Sequence, residues 1–459
     1  MPSSNVPTFL QRLPVLLVCC GIIGAGALTL FSVRPPIWSL TWNSAALLSF
    51  GGFMCLLAAL MMKAGRLWSL MRLASVNAIV FGLLFAFLEA GGRLAKVDFS
   101  AYERASAESK RKAYPPWTQE PDLPLPEVYF QHSGPLSWTG QPLRALEVLR
   151  QGTDNAYLNE PSITVSYDSA GFRNPENMAD WDVVVVGDSY TELGYLPDAE
   201  MSSSVAGMRS GFRVKNLGVC DTGLLTYARY LQRFGAAPSC KQVVFVMFEG
   251  NDIQDTTAEY EALQRFQLSG EREYRQLGPQ TSFAKSLIKV VRDARNKPRA
   301  QSYQNAWFTA ARPELPVTIS VELPIGPKEM TGTQLIALKA GVAACAKEAK
   351  ALGLAATLVY VPVNNRVYNG LLRFGDSLPA EVPVWQPHDL PRLVAELCAE
   401  RGMAFVDTTP ALRAAAEKGR YVHNRILDCH VNTEGAKLIG DVIGDALGST
   451  VRPAQVAQP

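Results

Sequence analysis

The chain has 459 residues, 48% of them hydrophobic and 19% charged, with a formal net charge of +2. It is too apolar for a disordered chain, and its near-neutral total excludes a partner such as nucleic acid. The charge is unevenly placed: residues 1–97 hold seven Lys or Arg and one acid, Glu89, leaving 37 basic against 41 acidic residues beyond. A basic, apolar front joined to a mildly acidic body points to a membrane segment followed by a folded domain.

In chain order, Leu13 to Val33 and Pro35 to Met62 are two apolar runs, each uncharged throughout. Both exceed the roughly 20 residues that cross about 30 Å of hydrocarbon as a helix. A third run, Leu73 to Leu88, is shorter, and is lengthened if Arg72 snorkels at one end while Glu89 and Arg93 mark the other. The first run is longer than the apolar region of a cleaved signal peptide, and two further runs follow it. Residues 1–97 are therefore expected to be a three-helix transmembrane anchor in contact with the lipid bilayer. Lys63, Arg66 and Arg72 lie between the second and third runs, against Arg34 alone in the first connection. The positive-inside bias then puts the N-terminus in the cytoplasm and the body outside, on a multi-pass protein of the cytoplasmic (inner) membrane. Arg93, Lys96, Lys110, Arg111 and Lys112 follow the last run, mixed with Asp98, Glu103 and Glu108.

Residues 98–126 read as a polar linker ending in a proline-rich extended spacer, and residues 127–459 as the folded domain. Short β-branched runs, Val183 to Val186, Phe212 to Leu217, Val243 to Phe248, Ala356 to Val361 and Ala404 to Val406, alternate with helical patterns at Leu224 to Phe234, Thr333 to Ala351 and Thr433 to Leu447. That alternation predicts an α/β fold of three layers, a flavodoxin-like parallel sheet with helices on both faces. An insertion at about 255–330 is longer than one crossover needs; Glu259 to Phe266 and Phe283 to Arg295 read as helical, and Val317 to Leu323 as an edge strand. It is either a lid or substrate-contacting element, or a surface loop. Five cysteines fall in the domain, without CxxC or zinc-like Cys/His spacing, so neither a metal nor a cofactor is expected. A body outside the cytoplasm permits a disulfide, Cys220 with Cys240 being one pairing.

Ligands of open parallel sheets bind at the carboxyl ends of the strands. The first run ends in Gly187, Asp188 and Ser189 at a strand-to-helix turn, the second in Gly218, and the third in Gly250, Asn251 and Asp252. Asp428 and His430 precede the last helix. These blocks, in this order over about residues 183–447, resemble the SGNH or GDSL-type hydrolase superfamily. The segment Asp168 to Glu176 is similar to membrane-linked members of that group. A lone GDS is weak, and a second one at Gly375 to Leu378 follows no expected strand and precedes Pro379, so Ser377 reads as a loop residue.

The resemblance implies Ser189 as nucleophile, His430 as base and Asp428 as its orienting acid, with an oxyanion hole from the Ser189 and Gly218 N–H groups and the Asn251 amide. Losing one such donor typically costs about 2.7 to 4 kcal/mol of transition-state stabilisation. Most members place the acid three residues before the histidine; here the two are two apart, with Asp252 as a fallback acid and His423 as a rival base. Each residue also has a plain reading: Ser189 as a helix cap, Gly218 and Asn251 as turn formers, His132 and His388 as surface or hydrogen-bonded structural residues. The expected function is a membrane-anchored serine esterase acting on O-acyl, notably O-acetyl, esters of an extracytoplasmic carbohydrate. The alternatives are a polysaccharide O-acetyltransferase with the same triad, and a non-catalytic scaffold binding glycan or a partner such as a membrane acyltransferase or polysaccharide export machinery.

Overall fold

The computed structural model describes residues 12–16, 18–19, 66–94, 116–118, 131–132, 134–176, 178–269 and 300–451. The chain divides into one unit of residues 1–104 with 280–296 and another of 105–279 with 297–459. In the first unit the helix Arg66–Leu94 contains the expected run Leu73 to Leu88. Trp68 is buried against Val15 and Cys19, with the Arg12 guanidinium 5.9 Å from its ring. Leu70, Leu73, Val80, Phe81, Leu83 and Phe87 of the same helix are each more than half exposed. No helix among the described residues is long and apolar enough to cross a membrane. The uncharged stretch between Arg72 and Glu89 is 16 residues, short of the roughly 20 that a span needs. All of the run 35–62, and most of 13–33 and of the linker 98–126, lie outside the described residues.

Ten strands occur among the described residues of the second unit: β1 (Leu136–Gly140), β2 (Ile163–Tyr167), β3 (Val183–Gly187), β4 (Val214–Gly218), β5 (Gln242–Phe248), β6 (Ala306–Phe308), β7 (Leu315–Val317), β8 (Ala355–Val361), β9 (Leu372–Phe374) and β10 (Ala404–Asp407). Five of them form a parallel sheet in the order β10-β8-β5-β3-β4. Alternate residues of its apolar runs enter opposite cores, as strands buried on both faces require. Val183, Val185, Val244, Val246, Val359 and Val361 face one side, where Ala206 of the helix Ser202–Ser210 and Ile439, Ile443 and Leu447 of the helix Thr433–Val451 pack. Val184, Val186, Val243, Phe245, Leu358 and Tyr360 face the other, against the helices Leu224–Phe234, Gly332–Ala351 and Leu390–Glu400. The expected three layers are thus present, and outside the insertion the boundaries of the expected strands and helices fall within about two residues of those found, except at the C-terminus of the last helix.

From β3 the chain crosses to β4 on one side, and β5 lies on the other. The order therefore reverses at β3, and a crevice opens beyond its carboxyl end, the usual ligand position in such sheets. Two smaller sheets flank this arrangement. β1 and β2 pair in an antiparallel ribbon, and β6 pairs with both β7 and β9. The edge strand expected at Val317 to Leu323 is instead Leu315–Val317, because Asn305 takes over at Ile319, bonding its N–H and its carbonyl through one side-chain amide. The helix expected at Glu259 to Phe266 lies inside Asp252–Ser269, while that at Phe283 to Arg295 lies outside the described residues. Ser377 is in a turn as expected, but the second GDSL does follow a strand, since β9 ends at Phe374 directly before Gly375. Cys220 and Cys240 are both free and buried, which corrects the pairing considered for them.

Candidate active site

β3 ends at Gly187, Asp188 caps the next helix, and Ser189 is its first residue. The turn is tight enough that a Cβ on Gly187 would meet the Thr191 hydroxyl at 2.1 Å. Asp188 Oδ1 accepts the Tyr190 N–H at 2.9 Å, and its Oδ2 lies 3.3 Å from the Ser189 hydroxyl. Burial pushes the Asp188 carboxyl up to about 7, against the pull of that N–H and of His430. The short helix ends at Leu193 in the left-handed region, φ 44°. The buried Arg173 holds this end by donating to the carbonyls of Leu193 at 2.5 Å and Leu196 at 2.9 Å and by pairing with Asp198. Arg173 belongs to the segment Asp168 to Glu176, whose part is therefore to brace the serine loop.

His430 arrives from the far end of the chain. Its Nε2 is 2.8 Å from Ser189 Oγ, and its Nδ1 is 2.5 Å from Asp428 Oδ1. Asn424 donates to the second Asp428 oxygen at 3.0 Å. The two-residue spacing works because Asp428 and the ring of His430 fold over Cys429, with the His430 N–H also 3.3 Å from Asp428 Oδ1. Burial alone would raise the Asp428 carboxyl; the His430 charge and hydrogen bond, with Arg150 and Asn424, hold it down at about 2. For His430, burial favours the neutral ring, but Asp428, by charge and hydrogen bond, and Asp188, by charge, raise it above its ordinary value.

Two tyrosines from the serine loop hold the backbone on either side of this histidine. Tyr190 donates to the Cys429 carbonyl at 3.0 Å, and Tyr195 to the Val431 carbonyl at 2.6 Å. The Tyr190 ring lies 4.7 Å from the imidazole and stacks at 3.8 Å on Phe248. On the acid side, Leu427 has φ 80°, a strained value for a branched residue. Its N–H donates to Thr318 Oγ1 at 2.8 Å, its carbonyl accepts from Arg150 at 2.8 Å, and Tyr157 donates to the Ile426 carbonyl at 2.8 Å.

The three groups expected to form an oxyanion hole divide. The Ser189 N–H stands at the first helical position, where no acceptor exists within the helix. Asn251 spends one amide N–H on Asp255 at 2.6 Å and retains a second. Gly218 is a correction: its N–H already donates to Asn216 Oδ1 at 2.7 Å, and it is buried within β4. A Cβ there would lie 2.4 Å from the Glu192 nitrogen, so the glycine is needed for the serine helix to approach β4. Asp252 does not serve as a second acid; it is buried and bonds Tyr227 at 2.8 Å and the Phe248 N–H at 3.0 Å. His423, the rival base, is buried on Tyr368 at 2.8 Å, and burial, with the nearby His430 charge, holds its ring down at about 3.

Several contributors escaped the sequence reading. Trp117 lies in the stretch read as a spacer, in a 3-10 turn Pro116–Thr118, 5.2 Å from the Tyr195 ring and 6.1 Å from the imidazole. A Cβ on Gly194 would meet Trp117 at 2.3 Å, so that glycine makes room for the indole. Glu192, at the end of the serine helix, accepts from Tyr167 at 2.5 Å and from the Cys220 N–H at 2.7 Å, and pairs with His132 at 3.0 Å. His132, Glu192 and Cys220 are the group with metal-like spacing among the described residues, but both carboxylate oxygens are occupied by these bonds. Only local cues, the tyrosines of GDSYTELGY, could have pointed to any of these.

A cavity of about 470 Å³ adjoins the acid–base loop, with Asp428 and Cys429 in one wall and residues 301–305 and 318–322 of the insertion in another. No family model matches the chain, and no curated protein does. Among solved structures it is similar to a protein described as lipolytic, of the G-D-S-L family, from Desulfitobacterium hafniense, at 13% identity over 57% of this chain and 98% of that one, TM-score 0.26. It is also similar to an acetyl xylan esterase from Geobacillus stearothermophilus, at 12% identity over 58% and 94%, TM-score 0.30. A third is an alpha/beta hydrolase enzyme from the metagenome of Lake Arreo, at 13% identity over 59% and 96%, TM-score 0.30. Similarity of this degree leaves the meaning of the site to its own geometry, which is that of a serine hydroxyl, an imidazole and a carboxylate in one hydrogen-bonded line.

Proposed function

We propose that the protein is a membrane-anchored serine esterase that cleaves O-acyl, chiefly O-acetyl, esters of an extracytoplasmic carbohydrate through an acyl-Ser189 intermediate. The observation that carries the reading is the line Ser189 Oγ, His430 Nε2, His430 Nδ1, Asp428 Oδ1, with separations of 2.8 and 2.5 Å at its two hydrogen bonds. Such distances are within the reach that general-base activation of a nucleophile requires.

His430 takes the Ser189 proton as Oγ bonds to the ester carbonyl carbon, and the carbonyl oxygen becomes an oxyanion facing the Ser189 N–H and the Asn251 amide. Asp428 stabilises the imidazolium. Collapse breaks the bond to the sugar oxygen, which leaves with the proton from His430. Water then repeats the sequence, giving the free acid and restoring the serine. Transfer to a second sugar hydroxyl instead of water would make the same site an O-acetyltransferase.

The anchor is supported by the charge of the first 97 residues, by the apolar runs before residue 63, and by the apolar side chains that the helix Arg66–Leu94 presents outward. The direct test of the chemistry is a fluorophosphonate probe with a short-chain aryl acetate as substrate. Wild-type protein should be labelled at Ser189 and release acetate; Ser189→Ala should lose labelling and fall by at least a thousandfold in rate while staying folded. Retained turnover in that variant would remove Ser189 from the mechanism.

A further inference from the structure

We infer that the cavity beside the acid–base loop is a binding subsite for a neutral oligosaccharide; its link to ester chemistry rests on the esterase reading, whereas the site itself rests on its own walls. The cavity volume of about 470 Å³ lies within the roughly 300–1,000 Å³ of small-molecule sites. Its framework is already pinned. Tyr303 donates to the Arg150 carbonyl at 2.9 Å, Thr318 to the Tyr303 carbonyl at 3.0 Å, and Asn305 is bonded both ways to Ile319 at 2.8 Å. Four side chains on the wall are different. Gln301, Gln304, Glu322 and Ser377 are half or fully exposed, and their side chains make no hydrogen bond with the described residues.

Two carboxamides and a hydroxyl each donate and accept, which is what a sugar hydroxyl, itself donor and acceptor, requires of a partner. The half-buried Tyr303 ring adds an aromatic surface whose hydroxyl is fixed at its far end, suited to the C–H face of a pyranose. Charge narrows the class. Arg150 is engaged, donating to the Leu427 carbonyl at 2.8 Å and lowering the Asp428 carboxyl by its charge. Among the described residues Glu322 has no such counter-charge bonded to it, so a uronate would meet a like charge at the wall. An uncharged glycan meets none. Asp428, which is hydrogen-bonded to His430 Nδ1 at 2.5 Å, and Cys429 line the cavity, so a chain held here lies next to the loop that carries His430.

The test uses the full chain with Ser189→Ala, which binds without turnover, titrated calorimetrically with neutral hexasaccharides (cellohexaose, xylohexaose, mannohexaose) and with hexagalacturonate. At least one neutral hexasaccharide should bind, at least tenfold tighter than hexagalacturonate. Adding Gln304→Ala, or Gln301→Ala on a more exposed side chain, should weaken it at least fivefold, and Glu322→Gln should narrow the neutral-over-uronate gap at least threefold. Absence of neutral binding, equal uronate binding, or indifference to both glutamine substitutions in folded protein overturns the subsite. Fluorophosphonate labelling of wild-type Ser189 reads the other claim separately: labelling without oligosaccharide binding removes the subsite alone, and oligosaccharide binding without labelling removes the esterase reading alone.

Discussion

His430 must be neutral to accept the Ser189 proton, and Asp428 and Asp188 raise its proton affinity. Because the shift is upward, the acid limb of kcat/KM should bend above the ordinary histidine value of about 6.5, with activity lost as pH falls through it. Asp428→Asn removes the charge and exchanges one carboxylate oxygen for an NH2 donor, leaving burial, which favours the neutral ring, opposed chiefly by Asp188. The limb should then move to lower pH, and the rate fall by about 10⁴-fold, the size found for the same change in a serine-protease triad; a limb that stays in place would mean that another group titrates. Trp117 is a second residue-scale test. Trp117→Ala empties the space between Gly194 and the cluster of Leu146, Ile426 and Leu427, so kcat/KM for an aryl acetate should drop about tenfold with Trp117→Phe retaining most of it, and a folded Ala variant with full kcat/KM would restrict the indole to packing. At this scale Ser189, Asp428 and His430 could be read from the sequence because each sits in a short motif at an element boundary. Gly218 could not: glycine at a strand end serves equally as an open N–H or as room for a neighbour, and only the Asn216 bond and the Glu192 approach decide between them.

Among the elements, the helices Ser202–Ser210 and Thr433–Val451 pack so closely that a Cβ on Gly440 would stand 2.6 Å from Val205 Cβ and 2.7 Å from the Ser202 carbonyl. Gly440→Leu should lower stability by about 1–3 kcal/mol or more through overpacking. In the same helix a Cβ on Gly448 meets nothing, so Gly448→Ala should raise stability by up to about 0.5–1 kcal/mol. Denaturation midpoints of the two variants that move in the same direction would contradict this packing. The central strands were legible because each is a continuous β-branched run buried on both faces. The ribbon of β1 and β2 and the small sheet of β6, β7 and β9 were not, since strands of three to five residues with mixed burial carry too few apolar repeats to register.

For the whole molecule, the proposed topology predicts that protease or membrane-impermeant cysteine reagents applied to intact cells reach the domain from outside; access only after the membrane is opened would reverse the orientation. The large insertion, undecided between lid and loop on sequence grounds, splits in the structure. Its Thr318 supports the strained Leu427, and its residues 301–305 and 318–322 line the cavity. The alternation of strands and helices, and hence the parallel sheet, is written in local patterns, because burial on two faces and helical periodicity need only neighbouring residues. The same local patterns place Ser189 and His430, the proposed nucleophile and base, at element ends, where short motifs are self-contained. What the Gly218 N–H bonds, and that Trp117, Tyr190, Tyr195 and Arg173 brace the loops carrying Ser189 and His430, follow from tertiary packing alone. The bracing contacts join segments far apart in the chain, 239 positions for Tyr190 and Cys429, and their geometry exists only once the sheet has brought those segments to one edge.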